Sequence, residues 1–159
     1  MITHGHADHI CALAELHAAR PAPVYIHAND YKWAFGVQNQ ILPYYPVPQK
    51  PVTEFIHPET ARYWKIADLD FQCLETPGHT PGCVCYYFEQ EKVIFTGDTL
   101  FKGTCGRTDL PGGDGRILAQ SLKKLAALPD DIVVHAGHNE STTIGYEKET
   151  NFFMQQAAR

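Results

Sequence analysis

The sequence predicts an α/β layered domain. Three observations carry that prediction: β-branched and aromatic strand candidates alternate with amphipathic helical stretches, glycine and proline turns separate them, and no repeat or low-complexity tract interrupts the pattern. With 159 residues, 44% hydrophobic and 19% charged, the chain has the size and apolar content of one domain with a buried core.

Taken in order, residues 9–20 read as a helix, with Ile10, Leu13, Leu16 and Ala19 on one side and Pro21 as its stop. Val24-Tyr25-Ile26 is a short strand candidate, and residues 28–35 form a second short helix. From 36 to 58, prolines at 43, 46, 48, 51 and 58 forbid a continuous element, so this stretch is a long ordered loop or lid with Tyr44 and Tyr45 at its middle. Residues 71–75, 84–88 and 93–96 read as strands, the last two joined as a hairpin through Glu89-Gln90-Glu91-Lys92. The segment 103–115, with five glycines and one proline, is a loop. Leu118, Leu122 and Leu125 mark an amphipathic helix with Asp114 as N-cap and Pro129 as its end. Ile132-Val133-Val134 is a further buried strand, and residues 146–158 form a closing helix.

Charge and composition exclude several function classes. Lysine and arginine total 13 against 18 acidic residues, a net charge of −5 with neutral histidines, and no basic cluster occurs, so nucleic acid and anionic membrane surfaces are not expected as partners. No apolar run approaches the roughly 18 residues of a membrane span. The first residues show no basic and apolar pattern of a signal peptide. Five cysteines at 11, 73, 83, 85 and 105 form no C-x-x-C pair, and Cys83 and Cys85 read as small buried thiols of one strand face, which fits a reducing, cytoplasmic setting. Histidine is the anomaly, at 9 of 159 residues.

The chemistry concentrates in His4-Gly5-His6-Ala7-Asp8-His9, four potential metal ligands within six residues. Imidazole and carboxylate together suit zinc, iron or manganese better than calcium or magnesium, which prefer all-oxygen shells. The bland alternative is a polar, histidine-rich segment without function. Three later residues each follow a predicted strand in a turn: His79 after Pro77-Gly78, Asp98 after Gly97, and His138 after Gly137. Alone, each reads as an ordinary hydrogen-bonded residue; together with the first cluster they read as a metal set.

In that order, His4-x-His6-x-Asp8-His9, His79, Asp98 and His138 resemble the ligand pattern of the metallo-β-lactamase-fold hydrolases, and most closely small hydroxyacylglutathione hydrolases of the glyoxalase II type. The resemblance implies a four-layer αββα sandwich over residues 1–159. It further implies that the N-terminal strands, roughly fifty residues by the size of a whole domain, are lacking, with an exposed apolar sheet edge near residues 1–3. It implies two divalent metal ions, zinc first with iron or manganese as alternatives. His4, His6 and His79 would hold one, Asp8, His9 and His138 the other, and Asp98 would bridge them. His6, where some diiron oxidoreductases of this fold carry glutamate, favours the hydrolytic branch. On that resemblance the metals would supply water activated near neutral pH for attack on a thioester carbonyl, with Asp8 or Asp98 orienting the nucleophile. The substrate is then a small acyl thioester such as a glutathione conjugate.

Arg107 in Cys105-Gly106-Arg107 matches the position where hydroxyacylglutathione hydrolases carry a basic residue for a glutathione carboxylate. The equal alternative is that Arg107 and Asp109 pair to hold the loop. Cys105 reads as structural, and Asn139 stands where the family commonly has glycine. The runner-up activity is that of a mononuclear iron persulfide dioxygenase using His4, His79 and Asp98, which some motifs also resemble. A third reading is an inactive metal-binding fragment.

Overall fold

The computed structural model describes residues 1–40 and 45–158. The first half holds helices α1 (Ala7–Ile10), α2 (Leu13–Ala19) and α3 (Ala28–Ala34) with short strands β1 (Val24–Tyr25) and β2 (Phe55–Ile56). There follow β3 (Tyr63–Ile66), β4 (Leu69–Glu75), β5 (Val84–Phe88), β6 (Val93–Gly97), β7 (Leu100–Phe101) and β8 (Thr104–Cys105). Helix α4 (Gly115–Ala126), β9 (Val133–Ala136), β10 (Thr142–Thr143), α5 (Ile144–Thr150) and α6 (Phe152–Ala158) complete the described chain.

A mixed six-stranded sheet, ordered β10-β9-β6-β5-β4-β3, organises the molecule. Its pairs are antiparallel except β6 with β9, which run parallel across the α4 connection. Alternation along the strands divides the apolar residues between two faces. Cys85, Tyr87, Ile94 and Val134 pack under α4, α5 and α6 with Leu118, Leu122, Leu125, Ile144 and Met154. On the other face Phe71, Cys73, Val84, Tyr86 and Phe88 form a second cluster against Trp64. Over it lies the small parallel β1–β2 pair, with the Tyr25 and Trp64 rings edge to face, and Ile10, Ile26 and Ala34 beyond. The mixed architecture is the one the sequence predicts.

Several boundaries differ, each for a local reason. The helix predicted over 9–20 breaks at Cys11-Ala12 into α1 and α2, and Leu16 is 64% exposed. Apolar positions spaced by three lag about 60° per step behind a 3.6-residue helix, so Ile10 is buried while Leu16 has rotated away from the core. The closing helix likewise breaks, at buried Asn151, whose Oδ1 accepts from Phe153 N (3.0 Å) and Met154 N (3.3 Å) and so starts α6 afresh. Strand β3 has no counterpart in the predicted elements. Its turn onto β4 is Ala67-Asp68, with Ala67 at φ 52°, a conformation usually announced by glycine or asparagine. Inside the loop predicted over 103–115, Thr104–Cys105 pairs back on Leu100–Phe101. The lid region contains a 3-10 turn at Val37–Asn39 and strand β2; Tyr44 lies outside the described residues.

Near the start, Met1 is 49% exposed, but the expected open edge is not seen. Ile2 N donates to Tyr25 O (2.8 Å), Val84 N donates to Thr3 O (2.9 Å), and the Tyr86 hydroxyl donates to Ile2 O (2.8 Å). The segment is threaded between β1 and β5, and the exposed aromatic surface of that sheet face falls on Phe95 instead.

Candidate metal centre

Strands β4, β6 and β9 run in one direction, and each is followed by a turn carrying one of the singled-out side chains: His79, Asp98 and His138. Gly137 N donates to Gly97 O (2.8 Å), which sets the Asp98 and His138 turns side by side. The threaded N-terminal segment brings His4 and His6 to the same end of the sheet. The single turn of α1, begun by His9 N donating to His6 O (3.0 Å), adds Asp8 and His9.

All seven side chains therefore meet. Three groups have ligand atoms within 4.8 Å of one another: His4 with His6 and His79, His4 with His9 and Asp98, and Asp8 with His9 and His138. His6 Nδ1 lies 2.9 Å from His79 Nε2, and His9 Nε2 lies 3.2 Å from His138 Nε2. Asp98 stands between the two halves, 3.3 Å from His9, 3.6 Å from His79 and 3.6 Å from His138. Asp8 approaches His138 at 3.2 Å. His4, His6, His79 and Asp98 are buried, whereas the His138 side chain is 49% exposed.

This arrangement fits a metal. His4 Nε2, His6 Nε2 and Asp98 Oδ1 are buried without a hydrogen-bond partner, a condition native interiors avoid unless water or an ion completes it. Ring nitrogens that face one another need a proton or a cation between them. Protons are disfavoured: burial and then the neighbouring histidines push the His4 imidazole well below its usual range, and burial and His79 push His6 down to about 4. Neutral imidazole is the form that ligates. For His9, burial is outweighed by Asp98 and Asp8, which raise it. Burial of Asp98 is in turn outweighed by His9, His79 and His138, which hold the carboxyl low. His79 Nδ1 donates to Arg107 O (2.7 Å), which fixes the ring with Nε2 facing the cluster.

The cluster floors a cavity of about 430 Å³ whose other walls include Ala7, Tyr45, Phe101, Cys105 and Leu110. Arg107 also lines it, and the structure shows the pairing alternative: Nε and Nη2 each sit 2.7 Å from the Asp109 carboxylate. The Cys105 thiol, pushed up to about 11 by burial, stays protonated and packs on the α4 core. Asn139, beside His138 in the cavity wall, takes φ 68°, a conformation natural to glycine and tolerated by asparagine. Two contributors carried no sequence signal, because their partners are remote in the chain: Asp30 and Asn39, which hold the Gly5 peptide from both sides.

Residues 1–138 match the family model described as the metallo-beta-lactamase superfamily. The chain belongs to that superfamily. Within it, the chain is 35% identical over 159 residues to hydroxyacylglutathione hydrolase GloC of Haemophilus influenzae, an alignment covering 97% of this chain and 74% of that protein. Among solved metallo-beta-lactamase superfamily structures it is similar to the BLEG-1 B3 metallo-beta-lactamase, with 36% identity, a TM-score of 0.86, and coverage of 96% of this chain and 74% of that one. It is also similar to TTHA1623 in a di-iron-bound form, with 39% identity, a TM-score of 0.81, and coverage of 95% and 74%. Among the described residues no helix is long and apolar enough to cross a membrane.

Proposed function

We propose that this chain is a binuclear metal-dependent hydrolase of small acyl thioesters, glutathione conjugates among them. The observation that carries the reading is the convergence of seven imidazole and carboxylate side chains on the floor of one cavity. Similarity to a hydroxyacylglutathione hydrolase supports the substrate class. His4, His6 and His79 would hold one ion and Asp8, His9 and His138 the other, with Asp98 between them. Zinc suits the nitrogen-rich set, and the di-iron neighbour makes iron the alternative. Bound metal supplies Lewis-acid activation of water near neutral pH.

The chain's own groups do the rest. Asp8, partly exposed at the cavity floor, orients the attacking water and accepts its proton. Asp98, held ionised, keeps negative charge between the two halves. Tyr45, Phe101 and Leu110 wall off the acyl group, and Arg107 at the rim meets a carboxylate of the thiol portion. A thiol with a pKa of about 8.5 departs as thiolate, so a strong general acid is not required. Five free cysteines, three of them buried, support a reducing, cytoplasmic setting.

The test is turnover of S-lactoylglutathione and a small panel of thioesters and lactones by the folded chain carrying two metals. Hydrolysis of at least one thioester is expected. No turnover of any of them, or oxygen uptake with glutathione persulfide by a chain holding one iron, overturns the proposal.

A further inference from the structure

Asp30 is a carboxylate with no solvent exposure on α3, and it belongs to none of the ligand groups. Its hydrogen bonds all go to the two loops that carry His4, His6 and His79. Oδ2 accepts from Gly5 N (2.8 Å), in the His4–Gly5 peptide unit, and from Thr80 Oγ1 (2.7 Å), next to His79. Oδ1 accepts from Gly82 N (2.7 Å). One side chain thus spans loops more than 70 positions apart in sequence.

The surroundings are shaped for this contact. A Cβ on Gly82 would fall 2.6 Å from Asp30 Cγ, so only glycine lets that backbone reach the carboxylate. The next peptide unit, Gly5–His6, is held as well: Asn39 Nδ2 donates to Gly5 O (2.7 Å) and to Ala34 O (2.6 Å), which anchors the loop to the end of α3. Asp30 thus holds the His4–Gly5 peptide unit and Asn39 the Gly5–His6 unit, so neither plane can rotate freely, and the directions of His4 and His6 follow from them. No hydrogen bond of this clamp reaches Asp8, His9 or His138.

We infer that Asp30 is the positioning residue for the His4, His6 and His79 half of the centre, setting the geometry of one metal position and not of the other. The inference rests on the metal-centre reading proposed above. Outer partners that orient ligands are worth about 10- to 100-fold in metal affinity, and useful ligand geometry is held to within about 0.5 Å. Asp30→Asn keeps the volume but turns one acceptor into an NH2 group facing a donor, which pushes the two loops apart.

The experiment is titration of the metal-free full chain with Co(II), following visible absorption and competition with a chelator. The wild type should take up two equivalents. In Asp30→Asn one equivalent should weaken by about 10- to 100-fold with a changed d–d spectrum, while the other keeps its wild-type affinity and spectrum. Thr80→Val, which removes one donor and leaves both backbone bonds, should weaken the same equivalent by less. His138→Ala should weaken the opposite equivalent. Unchanged binding of both equivalents in Asp30→Asn, or equal weakening of both in a folded sample, overturns the inference. If Asp30→Asn does not fold, Thr80→Val decides, and wild-type binding and spectrum there overturn it. A wild-type chain that binds no Co(II) defeats the metal-centre reading itself, and this inference with it.

Discussion

Arg107 and Asp109 share two 2.7 Å contacts while both side chains are more than half exposed. The guanidinium holds the Asp109 carboxyl down to about 2, yet an ion pair in water contributes little, and a competing carboxylate can take its place. If Arg107 meets a substrate carboxylate as proposed, Asp109 is the group that carboxylate displaces. Asp109→Asn should lower KM for S-lactoylglutathione by about two- to tenfold, leave kcat unchanged, and leave KM unchanged for an uncharged N-acetylcysteamine thioester. Arg107→Gln should raise KM for the anionic substrate alone. Steady-state kinetics on the two thioesters check both, and equal KM changes for the two would make Arg107 a loop-holding residue only. At this scale the seven clustered residues were legible in the sequence, because each sits in a short motif or just beyond a strand. Asp30 was not, since its meaning lies in Gly5 and Gly82, which only the fold brings to it.

Helix α4 shows how an element places a single side chain of the cluster. Asp114 caps it through Arg116 N and Ile117 N and donates its own N–H to Gly78 O (2.8 Å), while Ser121 Oγ donates to Pro77 O (2.7 Å). The helix is thereby docked on the turn that presents His79. Gly78 makes the docking possible: its φ is 135°, and a Cβ there would lie 2.4 Å from the Leu118 backbone. Gly78→Ala should lower stability by about 2–4 kcal/mol, from backbone strain and steric overlap, and the thermal midpoint by about 5–15 °C. Thermal denaturation followed by circular dichroism checks this, and a midpoint within about 1 °C of wild type would separate α4 from the turn. The cap and leucine stripe of α4 were readable because both signals are local. Strands β4, β5 and β6 were readable through their apolar runs and the polar hairpin turn. Breaks at Cys11-Ala12 and Asn151 were not. Asn151 Nδ2 donates to Glu147 Oε2 (2.8 Å), one turn back, and to Thr104 O (3.0 Å), remote in the chain, and the remote partner overrides a continuous helical pattern.

In the whole molecule, the threaded N-terminal segment and the turns at the sheet end enclose the imidazoles of His4 and His6, whose neutral form burial favours, and this makes stability depend on pH. His4 and His6 are depressed below the ordinary 6.5, His6 to about 4. Below 6.5 the unfolded chain therefore binds protons that the folded chain refuses, and stability falls as pH falls toward 4. His9 acts oppositely: its raised value contributes stability that is present below 6.5 and lost as pH rises through the folded value. Asp98, held below 3.8, contributes stability that is lost only at still lower pH, outside this window. His4 and His6, shifted far down, outweigh the raised His9 and the Asp30 carboxyl, which burial raises so that it adds stability as pH falls, and the net is a loss on acidification. The metal-free chain should melt at a lower temperature at about pH 5 than at about pH 7. On the proposed metal-centre reading, metal would bind the folded arrangement through the same nitrogens, so saturation to about 100 times the dissociation constant should add ~2.7 kcal/mol, and chelation should remove it. Protons compete for those ligands, so the metal-loaded protein should lose more on acidification than the metal-free one. Differential scanning calorimetry at both pH values, with and without chelator, measures all four midpoints. Equal midpoints for the metal-free chain at the two pH values would mean that its histidines are not held in the closed cluster, and that metal rather than the fold alone assembles the centre.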